Sequence, residues 1–158
     1  MSSATSNIFI NEILRIFPWK EDYGIYSSNK IPASLSYKKN FTIICNESRQ
    51  EEEGTHFIII IRRNETILYL DPLAIYLEIH NDIPDFINAC NVKTVFKLTK
   101  PIQHIDSWMC GLFTTCLALY FNPLAKNTNF QTFVTRNIKD NDCICINNIV
   151  QFILQNKS

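Results

Sequence analysis

Four side chains occur in the order His56, Asp71, Gln103 and Cys110, with Gly111 directly after the cysteine. A thiolate is a nucleophile, and an imidazole can take up and return a proton. A carboxylate can fix the tautomer of that imidazole, and a side-chain amide can donate to an oxyanion. These are the groups that acyl transfer through a thioester requires. Each sits where local patterning ends a strand, tightens a loop or opens a helix, so side chains from distant segments can converge on one cleft.

Cys110 precedes an apolar stretch in which Leu112, Phe113, Cys116, Leu117, Tyr120 and Phe121 recur at helical spacing. A thiolate at the start of such a helix meets unpaired backbone N–H groups and the positive end of the helix dipole. Gly111 keeps the turn tight and the attacking face clear. His56 stands just before the apolar run Phe57–Ile61, and Asp71 closes the partner run Ile67–Leu70. Antiparallel neighbours put the end of one strand beside the beginning of the other, which brings carboxylate and imidazole together. Gln103 lies seven residues before Cys110, placed to donate to an oxyanion together with the Cys110 backbone N–H. Taken singly, each has an ordinary explanation: a small core cysteine, a turn histidine, an aspartate before proline, a loop glutamine. The joint occurrence is what points to chemistry.

The elements that must position these groups are legible in outline. A first helix is expected from a cap at Ser6 or Asn7 through Ile8, Ile10, Ile13, Leu14 and Phe17, stopped by Pro18. Residues 18–40 are rich in Pro, Ser, Tyr and Lys and read as a long surface connection. Phe41–Cys45 is expected as a strand, Glu51–Gly54 as a polar turn, and Phe57–Ile61 with Ile67–Leu70 as a hairpin turning at 63–65. The unbroken apolar run predicts a strand covered on both faces. Residues 73–91 read as helical with Pro84 near a helix start, 95–98 as a further strand, and 147–156 as a final helix. The fold class expected is α+β, a small mostly antiparallel sheet packed on one central buried helix, in a single domain over 1–158.

The chain is 46% hydrophobic, too apolar for disorder. Fifteen basic residues balance fifteen acidic ones, so no overall field draws the chain to nucleic acid or to an anionic membrane. Lys38–Lys39 and Arg62–Arg63 are local basic pairs, the second placed at a solvated hairpin tip. Three glycines leave no glycine-rich phosphate loop. Abundant Ile and Asn, with ten Lys to five Arg, indicate AT-rich coding. The first residues lack the basic and apolar regions of a signal peptide, and the longest aliphatic run, Ile58–Ile61, is too short to span a bilayer. The six cysteines (45, 90, 110, 116, 143, 145) are therefore expected as reduced thiols in an intracellular compartment. Cys143-x-Cys145 offers half a metal site, but no second Cys/His pair lies at zinc-like spacing, so neither metal nor cofactor is expected.

The order His–Asp–Gln–Cys differs from the papain arrangement, in which cysteine comes first. It resembles the adenovirus maturation protease and its relatives, the clan that includes the SUMO-specific proteases. The likeness is carried by Gly54-Thr55-His56-Phe57, Tyr69-Leu70-Asp71-Pro72, and Gln103 through Cys110-Gly111-Leu112-Phe113, over roughly 54–121. The Gln-to-Cys interval matches the adenovirus type. The resemblance implies an adenain-like cysteine protease fold, with His56, Asp71, Gln103 and Cys110 as catalytic residues. It also implies substrate contacts at Gly54, Thr55, Phe57, Trp108 and Gly111 along a narrow groove.

The implied substrates are capsid or scaffold precursors of a virophage, a Polinton-like element or a related DNA virus. The implied location is the virion and the cytoplasm or nucleus of the host cell, without a membrane. The family usually has Trp after the histidine, and here Phe57 is expected to keep an aromatic face over the imidazole. The adenovirus enzyme has Glu where Asp71 stands; either carboxylate can serve. That relative is stimulated by a disulfide-tethered peptide and by DNA. A peptide activator is implied with Cys90 in roughly the tethering region, while the neutral charge balance gives DNA no support. Two other functions share these residues: a protease that removes ubiquitin-like modifiers, and a catalytically inactive structural module.

Overall fold

The computed structural model describes residues 10–11, 14–15, 18–47, 56–74, 81–97, 114–115, 117–118 and 122. Five strands form one sheet in the order β1-β2-β3-β4-β5. They are β1 (Asp22–Ser27), β2 (Asn40–Asn46), β3 (Phe57–Arg63), β4 (Thr66–Leu70) and β5 (Thr94–Lys97). Helix α1 (Asp82–Cys90) lies between β4 and β5 in the chain. The α+β class holds, but the sheet is mixed. β2–β3 and β3–β4 are antiparallel, whereas β1–β2 and β4–β5 are parallel. A mostly antiparallel sheet was the expectation. Local patterning shows strands and hairpin turns, while the direction of an outer strand depends on how its crossover runs.

β3 is central, and Ile58, Ile59, Ile60 and Ile61 are all 0% exposed, as expected for an apolar run covered on both faces. On one face Phe41, Ile43, Cys45, Ile58, Ile60, Ile67 and Tyr69 pack with Leu35 and with Ile83, Phe86 and Cys90 of α1. Each buried Ile contributes about 1.5–3 kcal/mol relative to exposure. Ile44, Ile59 and Ile61 alternate onto the other face and are equally buried. Ile10, Leu14, Leu117 and Ala118, all in helical backbone, are buried as well and outside the first cluster. Asn122 fastens the chain after the second of these helical stretches to that after the first, its Nδ2 donating to the Pro18 carbonyl at 2.8 Å.

The surface connection expected over 18–40 is instead β1 followed by two 3₁₀ turns, Ser28–Lys30 and Ala33–Tyr37. These turns form the crossover that a parallel β1–β2 pair needs. Leu35 anchors the second in the core at 6% exposure. The strand's own signal is weak because β1 is half-exposed and carries Gly24, which has no side chain to pack; it is a strand through its pairing with β2. Ser28 Oγ ties the crossover to α1 by donating to Asp82 Oδ2 at 3.1 Å.

Arg62 is 3% exposed and not at a solvated tip. Its Nε donates to the Asn64 carbonyl at 2.8 Å and its Nη1 to the Ser36 carbonyl at 3.0 Å. Arg63 turns its guanidinium onto the Phe41 and Arg62 carbonyls and onto Glu21. Burial pulls the Arg63 pKa down, against the pull of Glu21. Helix α1 begins at Asp82, not at 73. Pro72 and Leu73 form a turn, and Ala74 sits at φ 53°, outside helical geometry. Pro84 falls in the first turn of α1, where its missing N–H has no helical partner to lose. The helix 147–156 lies outside the described residues. Among the described residues, no helix is long and apolar enough to cross a membrane.

Candidate active site

Strand register builds the site. β2 and β3 pair Asn46 with Phe57, and one step further brings Glu47 opposite His56. The Glu47 N–H donates to the His56 carbonyl at 3.0 Å, extending the ladder to that step. β3 and β4 pair Ile59 with Leu70, so the next position sets Asp71 opposite Ile58. Cross-strand partners share a face, and residues two apart on one strand share a face. Glu47, His56 and Asp71 therefore stand on the same side of the sheet as Cys45, Ile58 and Tyr69. A slip of one residue in either pairing would separate them.

His56 Nε2 lies 2.7 Å from Asp71 Oδ1. The His56 side chain keeps 17% of its exposure, whereas Asp71 is fully enclosed. An ionised carboxylate can only accept, so Nε2 carries the proton and the lone pair is left on Nδ1. That is the tautomer a general base requires, with the enclosed negative charge placed to stabilise the imidazolium formed when the ring takes a proton. Asp71 is itself held. The Leu73 N–H donates to the same Oδ1 at 2.9 Å, and the Ala74 N–H donates to the Asp71 carbonyl at 2.8 Å. Ala74 closes this turn in the left-handed region.

All five strands leave or enter the sheet at this end. β5 runs parallel to β4 and pairs Lys97 with Tyr69, so the chain departs β5 on the Asp71 side. Gln103 follows six residues later and Cys110 thirteen later. Gln103, Trp108, Cys110, Gly111, Gly54 and Thr55 lie outside the described residues, as do Cys116, Cys143 and Cys145. Phe57 is 3% exposed, and alternation turns it to the face opposite His56. On that face it is not placed over the imidazole.

The two described cysteines make poor nucleophiles. Cys45 is fully buried, and burial, aided by the charge of Glu47, pushes its thiol far up. Burial also raises Cys90, against Arg62, whose charge and hydrogen bond favour the thiolate.

Sequence reasoning missed Glu47. Its carboxylate belongs to the same cluster: ligand atoms of Glu47, His56 and Asp71 all lie within 4.8 Å of one another. The available signal was an acidic residue directly after an apolar strand, and it became readable only once the β2–β3 register was known.

No protein-family model and no curated protein matches the sequence. Among solved structures, the chain is similar to the central domain of the uncharacterized Lpg1148 protein from Legionella pneumophila. The TM-score is 0.60 at 10% identity, over 98% of this chain and 99% of that one. At that identity the likeness is one of fold alone.

Proposed function

We propose that the chain is a cysteine endopeptidase that processes viral capsid or scaffold precursors during virion maturation. The observation that carries this reading is the 2.7 Å contact between His56 Nε2 and the enclosed Asp71, which leaves an imidazole lone pair at the sheet end toward which β5 directs the chain. Cys110, thirteen residues beyond Lys97, supplies the thiolate. At about 3.3 Å per residue this interval is ample to return to the sheet end.

In this mechanism His56 Nδ1 accepts the thiol proton, and the thiolate attacks the scissile carbonyl carbon. Gln103 and the Cys110 N–H hold the oxyanion of the tetrahedral intermediate. The imidazolium returns its proton to the departing amine as the C–N bond breaks. His56 then takes a proton from water as the water oxygen attacks the thioester carbonyl; the C–S bond breaks, the product acid leaves, and the imidazolium returns its proton to the thiolate. Gly54, Thr55, Trp108 and Gly111 line the groove in this reading.

The test needs no substrate. Iodoacetamide labelling of Cys110 is followed against pH by peptide mapping, in the wild type and in His56→Ala. Rapid labelling of Cys110 at pH 6 that is lost in His56→Ala is the expected result. Labelling that rises only near the ordinary thiol range of about 8.5 in both proteins would remove the Cys–His pair and the reading with it. Cleavage of a Gly-Gly-linked modifier conjugate in preference to capsid precursors would keep the chemistry and reassign the substrate.

A further inference from the structure

Glu47 has no part in the mechanism above, yet it shares the cluster. Glu47, His56 and Asp71 come from the ends of three adjacent strands, with ligand atoms within 4.8 Å of one another. This is not a solvated acidic patch, since Asp71 is fully buried and the other two are partly buried. The geometry points to a Zn2+ site formed by Glu47, His56 and Asp71.

The donor set selects the ion. One imidazole nitrogen and two carboxylate oxygens suit Zn2+, which binds such atoms at about 2.0–2.2 Å. Ca2+ and Mg2+ take oxygen ligands throughout. A tetrahedral ion with those bond lengths holds its ligand atoms roughly 3.4 Å apart. The widest gap in the cluster, at most 4.8 Å, must close by up to about 1.4 Å, and the 2.7 Å His56–Asp71 contact must open by about 0.7 Å. The backbone frame is already fixed by the Glu47 N–H on the His56 carbonyl. The Leu73 N–H on Asp71 Oδ1 is the kind of outer hydrogen bond that orients a ligand carboxylate. Three protein ligands leave a fourth position open.

Occupancy of this site removes His56 as a base, whichever ring nitrogen is bound. At Nδ1 the ion takes the lone pair itself. At Nε2 it displaces the proton held toward Asp71, and the neutral ring then carries its proton on Nδ1. Zn2+ thus holds the site inactive. The inactivation rests on the protease reading, but the binding does not.

The full chain is freed of metal by chelation and titrated with Zn2+ by calorimetry, and separately with Co2+ by absorption. One equivalent is expected, with Glu47→Gln and His56→Ala each weakening Zn2+ about tenfold or more, and a Co2+ spectrum lacking thiolate charge transfer. Glu47→Gln keeps the side-chain size, and near-ultraviolet circular dichroism verifies the fold of both variants. Wild-type affinity in both variants, a thiolate-dominated Co2+ spectrum, or no binding overturns the site. Zn2+ binding that depends on Glu47 and His56 but leaves Cys110 labelling unchanged upholds the site and refutes the proposed role of His56.

Discussion

Asp71→Asn isolates the charge of the buried carboxylate. Asp71 Oδ1 accepts two hydrogen bonds, from His56 Nε2 at 2.7 Å and from the Leu73 N–H at 2.9 Å. Asparagine preserves the volume and one acceptor oxygen, and it can sit either way round. With its oxygen toward His56 both bonds survive and only the charge is lost. Hydrogen bonds to charged groups contribute about 1.5–3 kcal/mol against about 0.5–1.5 for neutral pairs, a difference near 1–1.5 kcal/mol. That difference corresponds to roughly a 5- to 13-fold slower reaction.

Flipped, the amide would point N–H groups at both partners. His56 would have to move its proton to Nδ1 and cease to be a base, a loss on the order of 10⁴ where it has been measured in a triad. The flip also leaves the Leu73 N–H facing a donor, which costs about 1–3 kcal/mol for a buried group. Leu73 therefore decides the orientation, and Asp71→Asn slows Cys110 labelling at pH 6 only about 5- to 13-fold. The assay compares labelling rates of wild type, Asp71→Asn and His56→Ala, with urea unfolding to confirm integrity. A loss equal to that of His56→Ala would mean that Leu73 does not hold the amide. No loss at all would mean that the ring does not depend on the carboxylate's charge.

Ala74→Gly relieves a left-handed alanine at φ 53°, a strain of about 1–2 kcal/mol, against about 0.5–1 kcal/mol of added unfolded-state entropy. Urea unfolding should show a change between zero and about 1.5 kcal/mol in favour of the variant. A clear destabilisation would mean that the Ala74 methyl packs usefully. Burial raises both Cys45 and Cys90, so neither should label with iodoacetamide at pH 6–7 in the folded protein and both should label in urea. Early modification of Cys45 would contradict its enclosure. The exposed Glu65 carboxyl is held below its usual value first by the hydrogen bond from Lys39 and then by that residue's charge. Its contribution to stability is present at neutral pH and lost as pH falls through the lowered value. Lys39→Ala should therefore reduce stability slightly near pH 6, with the gap from wild type closing in acid. A gap that widens in acid would reverse the assignment.

What the sequence determined about this protein is the part governed by neighbours along the chain. The run Phe57–Ile61, the turn at 63–65 and Ile67–Leu70 can bury their side chains only as paired central strands. That pairing brings His56 and Asp71 together, because the mouth of a hairpin joins residues close in sequence. Tertiary structure decided the rest. β1 is a strand because β2 lies beside it, Arg62 is enclosed because the Ser36 carbonyl from another segment meets it, and both outer strands run parallel to their neighbours because of their crossovers. Glu47 entered the cluster through the β2–β3 register, which is set by packing on both faces of the sheet. Register is a relation between strands, and no local pattern within either strand encodes it.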